Sequence, residues 1–189
     1  MVNSMIDQME QLMQREYYGL KIIYKKEIFC IWVTSESGDK FLICNDKVLS
    51  FTDEKTLNLY CKEQQIPLAE KECTIQKIPA WAEVKRMLKK KDKVQFCKVF
   101  LNLWNLALDM NNSFGCHHPY LDGCRHLYDK IFWGNNLDVF TQARTLYVPH
   151  FSKKDCRQIE QILHEIYAVF EMRLLYPAGQ NDGNPFEGK

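Results

Sequence analysis

Between Val94 and Asn111 the chain places Cys97, Val99, Phe100, Leu101, Leu103, Trp104, Leu106, Ala107, Leu108 and Met110 on every side of a helical wheel. A surface helix carries one apolar stripe, whereas a helix apolar all round has to be enclosed by the rest of the molecule. Any fold open to this chain must therefore wrap that helix. Asn111, Asn112, Ser113 and Gly115 then form a stop signal. A loop rich in Cys, His and aromatic residues follows, leading to a second apolar segment that closes on Trp133-Gly134-Asn135-Asn136, read as a helix ending in Gly, then two amides suited to the left-handed conformation and to turn hydrogen bonds.

The other segments predict an α+β domain over residues 1–176, sheet-rich in 1–78 and helical in 79–176, with 177–189 too poor in apolar residues to fold. Residues 3–15 space Met5, Ile6, Met9, Leu12 and Met13 as an amphipathic helix. Gly19 introduces runs rich in Ile, Val, Phe, Tyr and Trp, broken by Gly, Asp, Asn and Ser, as far as Phe51. That pattern reads as an antiparallel meander, which a strand over 72–78 extends to about four or five strands with helices packed on one side. Thr52 followed by Asp53 and Glu54 marks a helix start, with the acids in the first turn. A further short helix opens at Ala80-Trp81. Ser152 and Asp155 form a capping box for the last helix, which Pro177 stops.

The whole-chain charge is close to neutral, 25 Lys/Arg against 24 Asp/Glu, so no overall field marks a nucleic-acid or membrane binder. Its distribution is uneven: residues 73–100 hold eight basic residues and two acidic ones, between two mildly acidic regions. The basic run at 89–93 has no aromatic or polar base readers interleaved, so a solvated junction between helices is the better reading and no direct nucleic-acid contact is expected. The eight cysteines are irregularly spaced with no C-x-x-C, no signal-peptide pattern opens the chain, and no apolar run is long enough for a membrane span. Reduced thiols in a cytoplasmic protein are the expectation.

Candidate chemistry is sparse. Cys116, His117, His118, Cys124 and His126 put five soft ligands within eleven residues, and Cys116, His118, Cys124 and His126 could surround a zinc ion. Their spacing matches no standard finger or ribbon, which favours packing and loop hydrogen bonds. A cysteine nucleophile built on Cys116 or Cys124 with a nearby His lacks an oxyanion loop. No phosphate-binding glycine motif is present. A small metal-binding or cysteine-dependent enzyme using the 116–126 loop stands as the alternative function, and no cofactor is expected.

The helical half carries a resemblance. Trp104-Asn105-Leu106-Ala107-Leu108-Asp109, the stretch from Leu127 through Trp133-Gly134-Asn135-Asn136 to Leu137, and Tyr147-Val148-Pro149 before an amphipathic helix resemble the small proteins encoded beside polymorphic toxins. Immunity proteins of contact-dependent growth inhibition systems are among these. The resemblance spans roughly residues 95–175 and leaves the sheet unmatched, as a scaffold carrying varied recognition surfaces would. It implies a cytoplasmic, non-enzymatic bacterial protein that binds a cognate toxin domain and blocks its active site. Such toxins are often nucleases with basic clefts, so the inhibitor would present acids, for which Glu36, Asp39, Asp46, Asp53 and Glu54 are the candidates.

Overall fold

The computed structural model describes residues 15–91, 93–116, 123–136 and 147–174. The helix expected over 3–15, the tail from 177 and the histidines at 117 and 118 lie outside them. Among the described residues the fold is α+β: seven strands with one helix among them, then four further helices. The chain divides into two compact units. One comprises the chain up to Lys77 together with Asn112–Phe114 and the residues from Met172 onward; the other comprises Ile78–Asn111 and Gly115–Glu171.

The sheet unit is built on β1 (Glu16–Tyr24) and β2 (Lys26–Thr34), antiparallel, with Leu20 opposite Cys30 and Ile22 opposite Ile28. Both faces of β2 are buried from Ile28 to Ile31, which explains its near-continuous apolar run. On the face carrying Phe29 and Ile31, helix α1 (Glu54–Glu63) packs Leu57 and Cys61 against them, with Phe51, Tyr17 and Tyr60 around. Lys21 lies on the same face, 2.8 Å from Glu27 and over the Phe29 ring.

Two features depart from a plain meander. Strand β7 (Thr74–Lys77) pairs with β1 in parallel, so the sheet is mixed. The segment following β2 is one edge strand interrupted by an excursion. Residues Lys40–Phe41 (β3) and Ser50–Phe51 (β6) both run antiparallel to β2, at Trp32–Val33 and at Phe29–Cys30. Between them Ile43–Cys44 (β4) and Lys47–Val48 (β5) fold out as a hairpin, its neck closed by Leu49 N–H donating to Leu42 C=O at 2.8 Å. Gly19 is inside β1 rather than at its start. A Cβ there would lie 2.7 Å from Cys73 Sγ, so close approach is what selects glycine.

The helical unit holds α2 (Trp81–Lys89), most of α3 (Val94–Ser113), α4 (Arg125–Gly134) and most of α5 (Lys153–Arg173). Helix α3 is enclosed as its composition requires. Phe96, Phe100, Leu103, Trp104, Ala107 and Met110 are fully buried, and the exposed positions are Gln95, Lys98, Asn102 and Asn112. Trp104 stacks edge-on with Phe100 and with Tyr128 of α4, whose hydroxyl donates to Asn105 Oδ1 at 2.9 Å. The capping box at the head of α5 is formed in both directions. Ser152 N–H donates to Asp155 Oδ2 at 2.9 Å, and Asp155 N–H donates to Ser152 Oγ at 3.1 Å. Lys130 of α4 adds an ion pair to the same carboxylate at 2.8 Å.

Candidate functional site

The five acids fall at three places in the sheet unit. Glu36 and Asp39 share the turn between β2 and β3. Its shape is set by Gly38, at φ +105°, and by the Ser35 hydroxyl, which donates to Gly38 C=O and also bonds Ser37 Oγ at 2.9 Å. Glu36 is exposed. Asp39 is half-buried and, among the described residues, accepts no hydrogen bond and joins no ion pair; burial alone pushes its carboxyl above the ordinary carboxylate value. A half-buried anion that no described residue balances costs stability, and such a cost is commonly retained where a partner's cation relieves it.

Asp46 is exposed at the tip of the β4–β5 hairpin, where it and Asn45 both take positive φ, 60° and 48°. Two left-handed residues form the primed turn that suits a two-residue hairpin, and Asn and Asp tolerate it best among residues with side chains. The hairpin is held at its base. Lys47 Nζ donates to Met172 C=O at 2.6 Å in the last turn of α5, where the helix dipole favours a cation, and Val48 is buried. The outward N–H of the adjoining edge strand, at Phe41, donates to Ser113 Oγ at 2.7 Å. Arg173 lies 4.0 Å over the Phe114 ring. These contacts occupy the sheet edge that a short strand would otherwise leave open.

Asp53 and Glu54 are committed within the fold. Asp53, rather than Thr52, is the N-cap of α1: its Oδ1 accepts from Thr56 N–H at 2.8 Å and from Thr56 Oγ1 at 2.9 Å, while Thr52 donates to Oδ2. The Thr56 N–H and the two hydroxyls hold its carboxyl below the ordinary value. Glu54 is half-buried and accepts the Cys73 N–H at 3.1 Å, tying the approach to β7 onto α1. Both carboxylates were legible as helix-start acids, but their hydrogen bonding depends on contacts the sequence does not display.

The soft-ligand loop is only partly described. Cys116 is exposed just beyond α3, Cys124 is buried at the start of α4, and His126 is exposed on it. Burial pushes the Cys124 thiol upward, which disfavours a thiolate nucleophile. Among the described residues no three His, Cys, Asp or Glu side chains are placed to share a metal ion. No described helix is long and apolar enough to cross a membrane.

Searches of family models, of curated proteins and of solved structures return no match to this chain.

Proposed function

We propose that this chain is a non-enzymatic immunity protein that binds a cognate toxin domain, most simply a nuclease, and blocks its active site from the acidic turns of the sheet unit. The observation that carries the reading is Asp39, a half-buried carboxylate unpaired among the described residues, beside exposed Glu36 in a turn fixed by its own hydrogen bonds. Asp46, on a hairpin tied down at Lys47, is a second pre-shaped acidic projection. Rigid carriage matters because ordering a loop on binding would subtract from affinity, and opposite charge steers encounter with a basic cleft. Asp53 and Glu54 contribute charge near this surface's sequence neighbourhood but are already engaged with Thr56 and Cys73.

The test is co-expression with the toxin domain encoded beside this chain in its bacterial host. The reading expects a stoichiometric complex that silences the toxin, and a weakened complex after charge reversal at Glu36, Asp39 and Asp46. Failure to form any complex would remove the function. A complex indifferent to reversal at all five acids would keep the function and exclude this surface.

A further inference from the structure

We infer that the helical unit carries a second, basic surface that binds a nucleic-acid phosphate backbone without reading bases. It is independent of the acidic turns. Helices α2 and α5 lie antiparallel: Trp81 meets His164 and Tyr167 with ring centroids 6.0 and 5.6 Å apart, and Lys85 meets Glu160 at 3.0 Å. Residues 81, 85 and 89 form one stripe of α2, and 153, 157, 160 and 164 form one stripe of α5. One turn beyond the Lys85–Glu160 pair, this register brings Lys89 toward Arg157, with Lys153 a further turn along α5. Where the seam first pairs opposite charges, it then sets cation against cation.

The neighbouring positions add to that field. Lys90 and Lys91 follow Lys89 at the end of α2, and Lys154 follows Lys153; all six are exposed. Among the described residues none of the six has an acidic partner. The nearest acids along α5 are spent, Asp155 on Lys130 and the Ser152 N–H, and Glu160 on Lys85. Lys93 compacts the same corner by donating to Leu88 and Lys90 carbonyls. Lys153 and Lys154 also occupy the first turn of α5, where the helix dipole favours anions, so the local arrangement is repulsive until an anion arrives.

The chemistry of the field selects the partner. Five lysines and one arginine present point charges on a helical face, and no exposed large apolar side chain stands among them. Lysine contacts phosphates without a fixed geometry, and base readout would need stacking rings or paired amides. The primary sequence shows only the run at 89–93; the second half of the proposed surface arrives from some sixty residues downstream through the α2–α5 register.

The test is anisotropy of a labelled single-stranded RNA about twenty nucleotides long, titrated with the full chain at several salt concentrations. Binding should weaken with salt with a log–log slope of roughly −3 to −4, as release of counterions from about four to six phosphates requires. Joint Lys89→Glu, Lys153→Glu and Arg157→Glu should lower affinity at least about tenfold, whereas Lys55→Glu, Lys71→Glu and Lys77→Glu, the same charge change in the sheet unit, should change it less than about twofold. Circular dichroism confirms that both variants are folded. Equal losses in the two variants, absence of binding at low salt, or binding only to phosphatidylserine vesicles would each overturn the inference. Toxin binding by the first variant should be unchanged, which separates this surface from the acidic one.

Discussion

Gly134 lies against Cys97: a Cβ added at Gly134 would come within 2.6 Å of Cys97 Sγ and 2.8 Å of Pro149 Cγ. This glycine sits inside the last turn of α4 and is buried, so it permits contact between α4, α3 and the segment before α5 rather than supplying a left-handed cap. Gly134→Ala should therefore destabilise by roughly 1–3 kcal/mol, the range for overpacking a closed interior. Gly123→Ala is the control, because a Cβ at Gly123 meets nothing within 4 Å. Urea unfolding of both variants checks this; equal midpoints would mean that Cys97 and Pro149 move aside freely.

Gly134 ends α4 as the sequence reads, but the Cys97 and Pro149 contacts that require glycine there come from distant segments. A Gly-Asn-Asn run after an apolar segment has the local look of a C-cap. The left-handed residue is Asn136, at φ 49°, one of the two amides suited to that conformation. Signals that act within one turn were legible: the Ser152–Asp155 box formed as read, and the all-round apolar pattern of α3 corresponds to near-complete burial. Signals set by distant segments were not. The direction of β7 follows from its connection through α1, and the 43–48 hairpin interrupts what composition reads as two ordinary strands. The acidic candidates were found because loop acids are visible in sequence, but only the fold distinguishes Asp39, unpaired among the described residues, from Asp53, which caps a helix.

Asn136 clamps the chain that returns before α5. Its Nδ2 donates to Gly134 C=O at 3.0 Å and Tyr147 C=O at 2.9 Å, and its Oδ1 accepts the Tyr147 N–H at 2.8 Å. Asn136→Gly should lose the clamp while easing the backbone; Asn136→Ala should lose the clamp and add left-handed strain of about 1 kcal/mol. Stability is expected to fall in the order Asn, Gly, Ala, with each lost hydrogen bond costing about 0.5–1.5 kcal/mol. Thermal melts of the two variants give the ranking, and an alanine variant as stable as glycine would contradict the strain.

Asp155 links the α5 cap to α4. Burial pushes its carboxyl up, but the bond and charge from Lys130 and the bonds with Ser152 outweigh that, leaving its pKa below the ordinary carboxylate value. A depressed pKa in the folded state means that the contribution is present above the unfolded value, about 3.9, and is lost as pH falls through the folded one. Asp155→Asn should cost about 1–2 kcal/mol at neutral pH and flatten the acid limb of the stability profile. Chemical denaturation from neutral to acidic pH measures it. An unchanged acid limb in the variant would assign the acid sensitivity to other carboxylates.

Asp39 carries the opposite sign. Burial raises its pKa in the folded chain, so the ionised carboxylate costs stability above that folded value, and the cost vanishes once the pH is below the unfolded pKa. Asp39→Asn keeps the shape and removes the charge. The variant should melt higher than the parent at neutral pH and converge with it in acid. If Asp39 is retained for binding, the same substitution should weaken the toxin complex, so stability and affinity move in opposite directions. Differential scanning fluorimetry at the two pH values, beside a binding titration, reads both. A variant that melts lower at neutral pH would mean that the carboxylate supports the turn, and the argument for it as a recognition acid would fall with that result.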